Sequence, residues 1–274
     1  MSDVSYLHVQ GPREVIVEGE AHGRPSVRGY AVKLSNRLIA EGIGSLLLTA
    51  TVIGSGIMAE RLAAGNTAIA LLANTGATVA VLATLIALLG PISGAHFNPA
   101  VSLIQALRNS LSWRDAGLYT LLQVSGCCLG AVLAHGMFEL PLLQASLHAR
   151  TGAAQWLAES VATFGLLLVV LGHRRAEDAP WMVAGWIGAA YWFTASTSFA
   201  NPAITVARSL SDTFAGIRPI DAPGFIVAQI IGALLAVLVA RALFGGHEVS
   251  AGATKSLINP ANGGQVSAGP GVQP

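Results

Sequence analysis

The sequence predicts an all-α integral membrane protein of six spanning helices and two re-entrant half-helices, built as an inverted repeat. Three observations carry this. Of 274 residues, 53% are hydrophobic and only 11% charged, where a soluble domain carries about 25% charged. Six apolar runs lie near 38–59, 68–90, 116–138, 154–172, 180–199 and 220–244, each close to the ~17–25 residues that cross a bilayer. One short motif also occurs twice in apolar surroundings, as NPAVSLIQAL at 98–107 and NPAITVARSL at 201–210.

The ends of the chain read differently. Residues 1–33 and 246–274 are polar and are expected to be cytoplasmic tails. The second tail is rich in Gly, Ser and Pro and is expected to be disordered. Its Asn259-Pro260-Ala261 has no apolar segment around it and reads as a chance turn. The first residues lack the pattern of a cleaved secretory signal. A net charge of +1 points to no nucleic-acid partner. Cys127 and Cys128 are adjacent in an apolar run, which excludes a disulfide framework and suits two packing residues.

Orientation follows from the loop cations. With the N-terminus cytoplasmic, Arg13, Arg24, Arg28, Lys33, Arg37, Arg108, Arg114, Arg174, Arg175, Arg241 and Lys255 fall inside. Only Arg61, Arg150 and Arg218 fall outside. This bias selects both termini on the cytoplasmic side of the cell's inner (plasma) membrane. It requires an even number of full crossings.

The two motif copies sit in a longer repeat. Ala40-Glu41 opens the first run and Ala158-Glu159 opens the fourth. Gln123 and Gln229 follow their triplets at similar distances. Each copy therefore holds three spans, and three is odd, so the second copy starts from the opposite side. The halves, about 34–140 and 150–245, are inverted within one domain at 34–245.

Each triplet begins a short helix of about ten residues, roughly 15 Å or half a bilayer core. Asn98 and Asn201 suit the N-cap, while Pro99 and Pro202 suit the first helical position. Irregular backbone at that depth must line a cavity or be buried in protein. Inversion brings the two N-termini together near the midplane, where their partial positive charge disfavours cations. The Asn oxygens can cap backbone N–H groups while their NH2 donors point into a lumen and orient a passing oxygen.

These residues resemble a known family. SGAHFNPAV at 93–101 and SFANPAITVARSL at 198–210 are closely similar to the two Asn-Pro-Ala boxes of the aquaporin (major intrinsic protein) family. Glu41, Glu159, Gln123 and Gln229 stand at the family's places, and the resemblance covers about residues 34–245. It implies a right-handed bundle with pore motifs at Asn98, Pro99, Ala100, Asn201, Pro202 and Ala203. It also implies a homotetramer in the lipid bilayer, with one pore per subunit. The two glutamates are then structural supports of the half-helix loops, with proton relay the competing role.

One departure matters. In water channels of this family an Arg follows the second triplet and forms a filter with an aromatic residue and a His. Here that position is Ile204. Ungapped alignment puts Thr78 at the aromatic position, Ala189 at the His position and Ser198 at the fourth, with Tyr191 close by. Such a filter lacks a fixed charge and is wide. It implies passage of uncharged solutes larger than water. Arg208 lies one turn beyond Ile204. It is either a displaced filter arginine leaning back toward the pore or a cation at the half-helix C-terminus. NPAITVARSLSDTFAGI also resembles a bacterial subgroup found among arsenic-resistance genes, associated with arsenite and related neutral metalloid hydroxides.

His96 is a pore-lining candidate or a satisfied structural histidine. Gly126-x-x-x-Gly130 permits close helix approach. No residue spacing suggests a metal site, a cofactor or a catalytic pair, so no enzyme is expected. The expected function is a passive channel for small neutral solutes: metalloid hydroxides such as arsenite, small polyols, and water. A plain water channel is the alternative. A secondary transporter built on inverted repeats comes from another class; saturable, ion-coupled flux would favour it, and the short Asn-Pro-Ala starts and the scarcity of other embedded charged residues argue against it.

Overall fold

A computed structural model describes residues 32–244, so the tails and the Asn259 triplet lie outside the described residues. Among the described residues the fold is all helical. The helices are α1 (Leu34–Leu62), α2 (Thr67–Ser93), α3 (Pro99–Leu107), α4 (Trp113–Met137), α5 (Ala153–Gly172), α6 (Ala179–Phe193), α7 (Pro202–Arg208) and α8 (Ala222–Phe244). Five of them, α1, α2, α4, α5 and α8, are long and apolar enough to cross a membrane.

The fifth run needs correction. Helix α6 holds 15 residues and stops at Phe193, not at residue 199. At 1.5 Å per residue it is roughly 22 Å long. Residues 194–200, TASTSFA, are rich in hydroxyls and leave the helix at Thr194, whose backbone is extended; Thr197, Ser198 and Ala200 then take positive φ. The half-helices are also shorter than ten residues, with 9 in α3 and 7 in α7. Helix α7 closes early through i→i+3 bonds, Ser209 N–H to Val206 O at 3.1 Å and Leu210 N–H to Ala207 O at 3.0 Å.

Local caps set the other ends. Asn66 accepts from Ala68 and Ile69 N–H at 3.1 and 3.2 Å and starts α2. Gly94, at φ 89°, ends it. Ser112 caps α4 through Asp115 N–H at 3.0 Å.

The packing repeats itself. Helix α1 lies along α4, and α5 lies along α8. A methyl at Gly126 would run into the carbonyl oxygen of Gly42, and one at Gly130 into that of Leu46. In the other half a methyl at Gly232 would meet the Ser160 carbonyl oxygen. Small residues thus let backbones approach where lipid provides no hydrophobic drive between helices. Half-helix α3 packs on α4 and α8, and α7 packs on the same two.

Polarity is arranged for a bilayer. Glu41, Glu159, Gln123 and Gln229 are fully buried, while Leu62, Leu72, Leu157, Trp181 and Leu238 are exposed. Exposed Trp113, Trp156, Trp181 and Trp192 suit the interfacial belt of a membrane protein.

Candidate functional site: the paired half-helix starts and the outer constriction

Each loop before a half-helix is a strained turn. Ala95 and Phe97 have φ of 49° and 47°, and Ser198 and Ala200 have 51° and 47°. Positive φ in a non-glycine residue costs about 1–3 kcal/mol. A buried carboxylate offsets that cost in each loop. Glu41 Oε1 accepts from Ser93 Oγ at 2.6 Å and His96 N–H at 2.9 Å. Its Oε2 accepts from Phe97 N–H at 2.7 Å and Gln123 Nε2 at 2.8 Å. Glu159 accepts from Phe199 N–H at 2.8 Å, Ala200 N–H at 2.9 Å and Gln229 Nε2 at 2.6 Å. Charge-assisted bonds of this length suit an ionised carboxylate. Gln123 also donates to Ser102 Oγ at 3.0 Å, and Gln229 to Thr205 Oγ1 at 2.9 Å. Each glutamine therefore ties a spanning helix to its half-helix.

The triplets meet in the middle. Pro99 and Pro202 occupy the first helical positions, and the methyls of Ala100 and Ala203 are fully buried. Asn98 Oδ1 accepts from Ala100 N–H at 2.9 Å. Asn201 Oδ1 accepts from Ala203 N–H at 3.0 Å and Ile204 N–H at 3.3 Å. The amide nitrogens cross over: Asn98 Nδ2 donates to Ala200 O at 2.8 Å, and Asn201 Nδ2 to Phe97 O at 2.7 Å. This corrects the expectation that both NH2 groups point into a lumen. One hydrogen of each braces the opposite loop, because those carbonyls have no helical partner. An amide carries two such hydrogens, so one remains on each for a passing oxygen.

His96 is half-buried between α2 and α3. Its Nδ1 lies 3.0 Å from Ser102 Oγ, and its ring meets Tyr119 edge-on at 5.3 Å.

Around the start of α7 the filter candidates separate. Thr78 is buried on α2 and donates through Oγ1 to Asn74 O at 2.9 Å. Ile204 is buried in the first turn of α7, as its third residue. Ser198 is buried, and its hydroxyl has no partner among the described residues. Ala189 does not join them. It is exposed and shares a helical stripe with Trp181 and Trp192, on the outside of α6. The inward face of α6 carries Ala184, Ile187, Ala190 and Tyr191, and Tyr191 Oη lies 3.4 Å from Thr78 Oγ1. Alignment without gaps cannot see this, because α6 ends early and the following loop takes up the remaining residues.

Arg208 is only 3% exposed. Its guanidinium carbon lies 3.3 Å from the Phe199 ring centroid, and its Nε donates to Ala215 O. It leans back along α7, from the last residue to the loop that precedes the helix. Its terminal nitrogens have no protein partner among the described residues.

Two residues were not singled out from sequence. Arg150, in the loop after α4, donates from Nε to Gly216 O at 2.8 Å, from Nη1 to Ser196 O at 3.4 Å and from Nη2 to Phe214 O at 3.3 Å. It also lies 5.2 Å from the Phe199 ring. Burial pushes its guanidinium below the ordinary value, with the charges of Glu159 and Tyr191 acting the other way. His135, fully buried in α4, bonds Leu142 O and Ser211 Oγ, each at 2.9 Å. Their signals were a lone cation just before a helix start and a lone His near the end of an apolar span.

Paired half-helices inside an inverted helical bundle define a membrane channel. The chain belongs to the major intrinsic protein family, whose sequence profile matches residues 30–192. Aquaglyceroporin AqpS of Rhizobium meliloti is 54% identical over 210 residues, covering 76% of this chain and 90% of that protein. Aquaporin AqpM of Methanothermobacter thermautotrophicus is 32% identical over 246 residues, covering 76% of this chain and 96% of that protein. The solved structure of the aquaglyceroporin from Plasmodium falciparum matches with a TM-score of 0.62 at 18% identity, over 79% of this chain and 100% of that one. That last likeness speaks for the fold.

Proposed function

We infer that the protein is a passive channel for small uncharged hydroxylated solutes, namely polyols and metalloid trihydroxides such as arsenite, together with water. The observation that carries this is Ile204, an aliphatic side chain directly after the second triplet. There it removes a fixed charge from the narrowest part of the path. The relative AqpS is named an aquaglyceroporin, which agrees with passage of solutes beyond water. Arsenite at neutral pH is an uncharged trihydroxide, so its oxygens can accept from the remaining Asn98 and Asn201 hydrogens. Cations are disfavoured by the two half-helix starts.

Arg208 serves in this reading as a displaced filter arginine, its free terminal nitrogens keeping the outer mouth positive. Assembly as a homotetramer in the inner membrane, both termini cytoplasmic, belongs to the same reading. A plain water channel is favoured by one observation, the approach of Tyr191 to Thr78, which narrows the path.

The test is stopped-flow entry into proteoliposomes of water, glycerol and arsenite under equal osmotic drive. Glycerol and arsenite are expected to enter well above empty vesicles, with no proton leak. Water flux alone overturns the wide-filter reading.

A further inference from the structure

We propose that Arg208 and Arg150 form a binding site for one small planar oxyanion, of the carboxylate or bicarbonate class, beside the C-terminal end of α7. The proposal goes beyond the channel reading and does not depend on it.

The charge balance points to an anion. Arg208 is 3% exposed, and a buried cation ordinarily has an anionic partner. Among the described residues, no ion pair includes Arg208 or Arg150. The carboxylates of the region are committed elsewhere. Glu159 holds Phe199 N–H, Ala200 N–H and Gln229. Asp221 takes the Arg218 side chain and the Arg150 backbone N–H, and Asp212 takes Leu147 N–H. Of the charges acting on Arg208, Arg150 outweighs Glu159. Two like charges therefore stand together, and the carboxylate that acts on both is already bonded to a loop.

The geometry gives the shape of the ligand. Both guanidiniums lie against the Phe199 ring, with their carbons 3.3 Å (Arg208) and 5.2 Å (Arg150) from its centroid. The ring helps to hold the charge, but it offers the N–H groups no acceptor in their own plane. Arg150 directs all three nitrogens at the carbonyls of Gly216, Ser196 and Phe214, so it contributes mainly field. Arg208 commits only Nε, to Ala215 O. Its two terminal nitrogens have no protein partner among the described residues, and neither is sealed from solvent. Together they present a flat fork, which two oxygens on one carbon match. The pair lies close to the surface, for His148 is exposed and the charges of both arginines act on it.

The experiment uses the full chain in detergent and reads chloride NMR line broadening, with formate and benzoate as competitors. Wild type is expected to broaden the chloride line, and formate to remove that broadening with one-site saturation. Benzoate, too bulky for a fork this deeply buried, should compete at least tenfold more weakly. Arg208→Gln should weaken formate binding at least tenfold. Arg208→Lys keeps a charge without the fork, so chloride should still bind while the preference for formate over chloride falls several-fold. Arg150→Gln should weaken both anions. Arg241→Gln removes an equal charge from the exposed end of α8 and should change nothing. No formate-sensitive broadening in wild type overturns the proposal. So does equal formate binding in Arg208→Gln, or an equal loss in Arg241→Gln. Benzoate competing as well as formate overturns the enclosed site in favour of a surface one. Where Arg208→Gln does not fold, an unchanged formate-to-chloride preference in Arg208→Lys overturns the fork. Binding is read without transport, so its failure is distinct from a failure of the channel reading in the flux test.

Discussion

The loop before α3 and the loop before α7 are the same device built twice, and they differ in what holds them from outside. Both take positive φ at the first and third residues before their Asn counted backwards, and both hang on a buried glutamate. The inner loop is tied by neighbours in its own half. Tyr119 donates to Ser93 O at 2.9 Å, and Arg37 holds Tyr119 at 2.8 Å and Asp115 at 3.2 Å. The outer loop is tied by Arg150, which arrives from the segment joining the two halves. The frame is duplicated, while several side chains around it are not: His96 beside α3, and Ile204, Tyr191 and Arg208 around α7. Shared residues are therefore those that support the loops, and under the proposed function the unshared ones are the candidates for selection.

The sharpest way to break the symmetry is through the glutamates. Glu41→Ala strands four donors and Glu159→Ala strands three. With hydrogen bonds to charged groups worth about 1.5–3 kcal/mol each, both variants should lose at least ~3 kcal/mol. Glu41→Ala should lose more. Thermal unfolding in detergent, followed by size-exclusion chromatography, measures this. Equal midpoints for Glu41→Ala and wild type would refute the support role.

A second change acts on selection alone. Ile204→Arg places a charge in the first turn of α7, where the proposed function puts the filter. A barrier rise of about 1.4 kcal/mol cuts flux tenfold, and glycerol entry should fall at least that far while the folded yield stays constant. Undiminished glycerol entry would show that Ile204 does not face the path.

Arg150→Gln removes the tie that only the outer loop has. A loss of about 1–3 kcal/mol is expected, with faster proteolysis between 194 and 217 and no change in the inner loop. Hydrogen exchange can separate the two, and equal protection in both loops would count against the distinction.

The smallest effect is a pH dependence on the outer side. The Arg218 side chain holds the Asp221 carboxyl below its usual range, against burial and with help from Arg150 N–H. A depressed carboxylate adds stability that is present above its unfolded pKa. That stability is lost as pH falls through the lower folded value. Outer-loop protection should thus weaken on acidification below the ordinary aspartate range, and Asp221→Asn should abolish that dependence.

Much of the frame was legible before any coordinates. The long spans show as apolar runs, the half-helices as Asn-Pro starts, and the inversion as an odd repeat. The glutamates stand out as charges too costly to bury without partners. The end of α6 was hidden because no Gly or Pro stops it at Phe193, and the hydroxyl residues that follow are interleaved with Ala and Phe. That hidden end misplaced Ala189 and kept Tyr191 in the background. The crossing of the asparagine amides was also unreadable, since it joins atoms more than a hundred positions apart. Arg150 looked like one external cation among three, because its acceptors are backbone carbonyls, which no side-chain pattern announces.

The crossed asparagines have a consequence for how the chain is made. The first half leaves the ribosome with the Phe97 carbonyl and the Asn98 amide at mid-membrane depth, each lacking the partner it will have in the finished protein. The partners arrive only when Ala200 and Asn201 have been synthesised and threaded in from the opposite face. Insertion of the second half is thus what completes the first, and a truncated half-chain lacks the partners these two groups have in the whole fold.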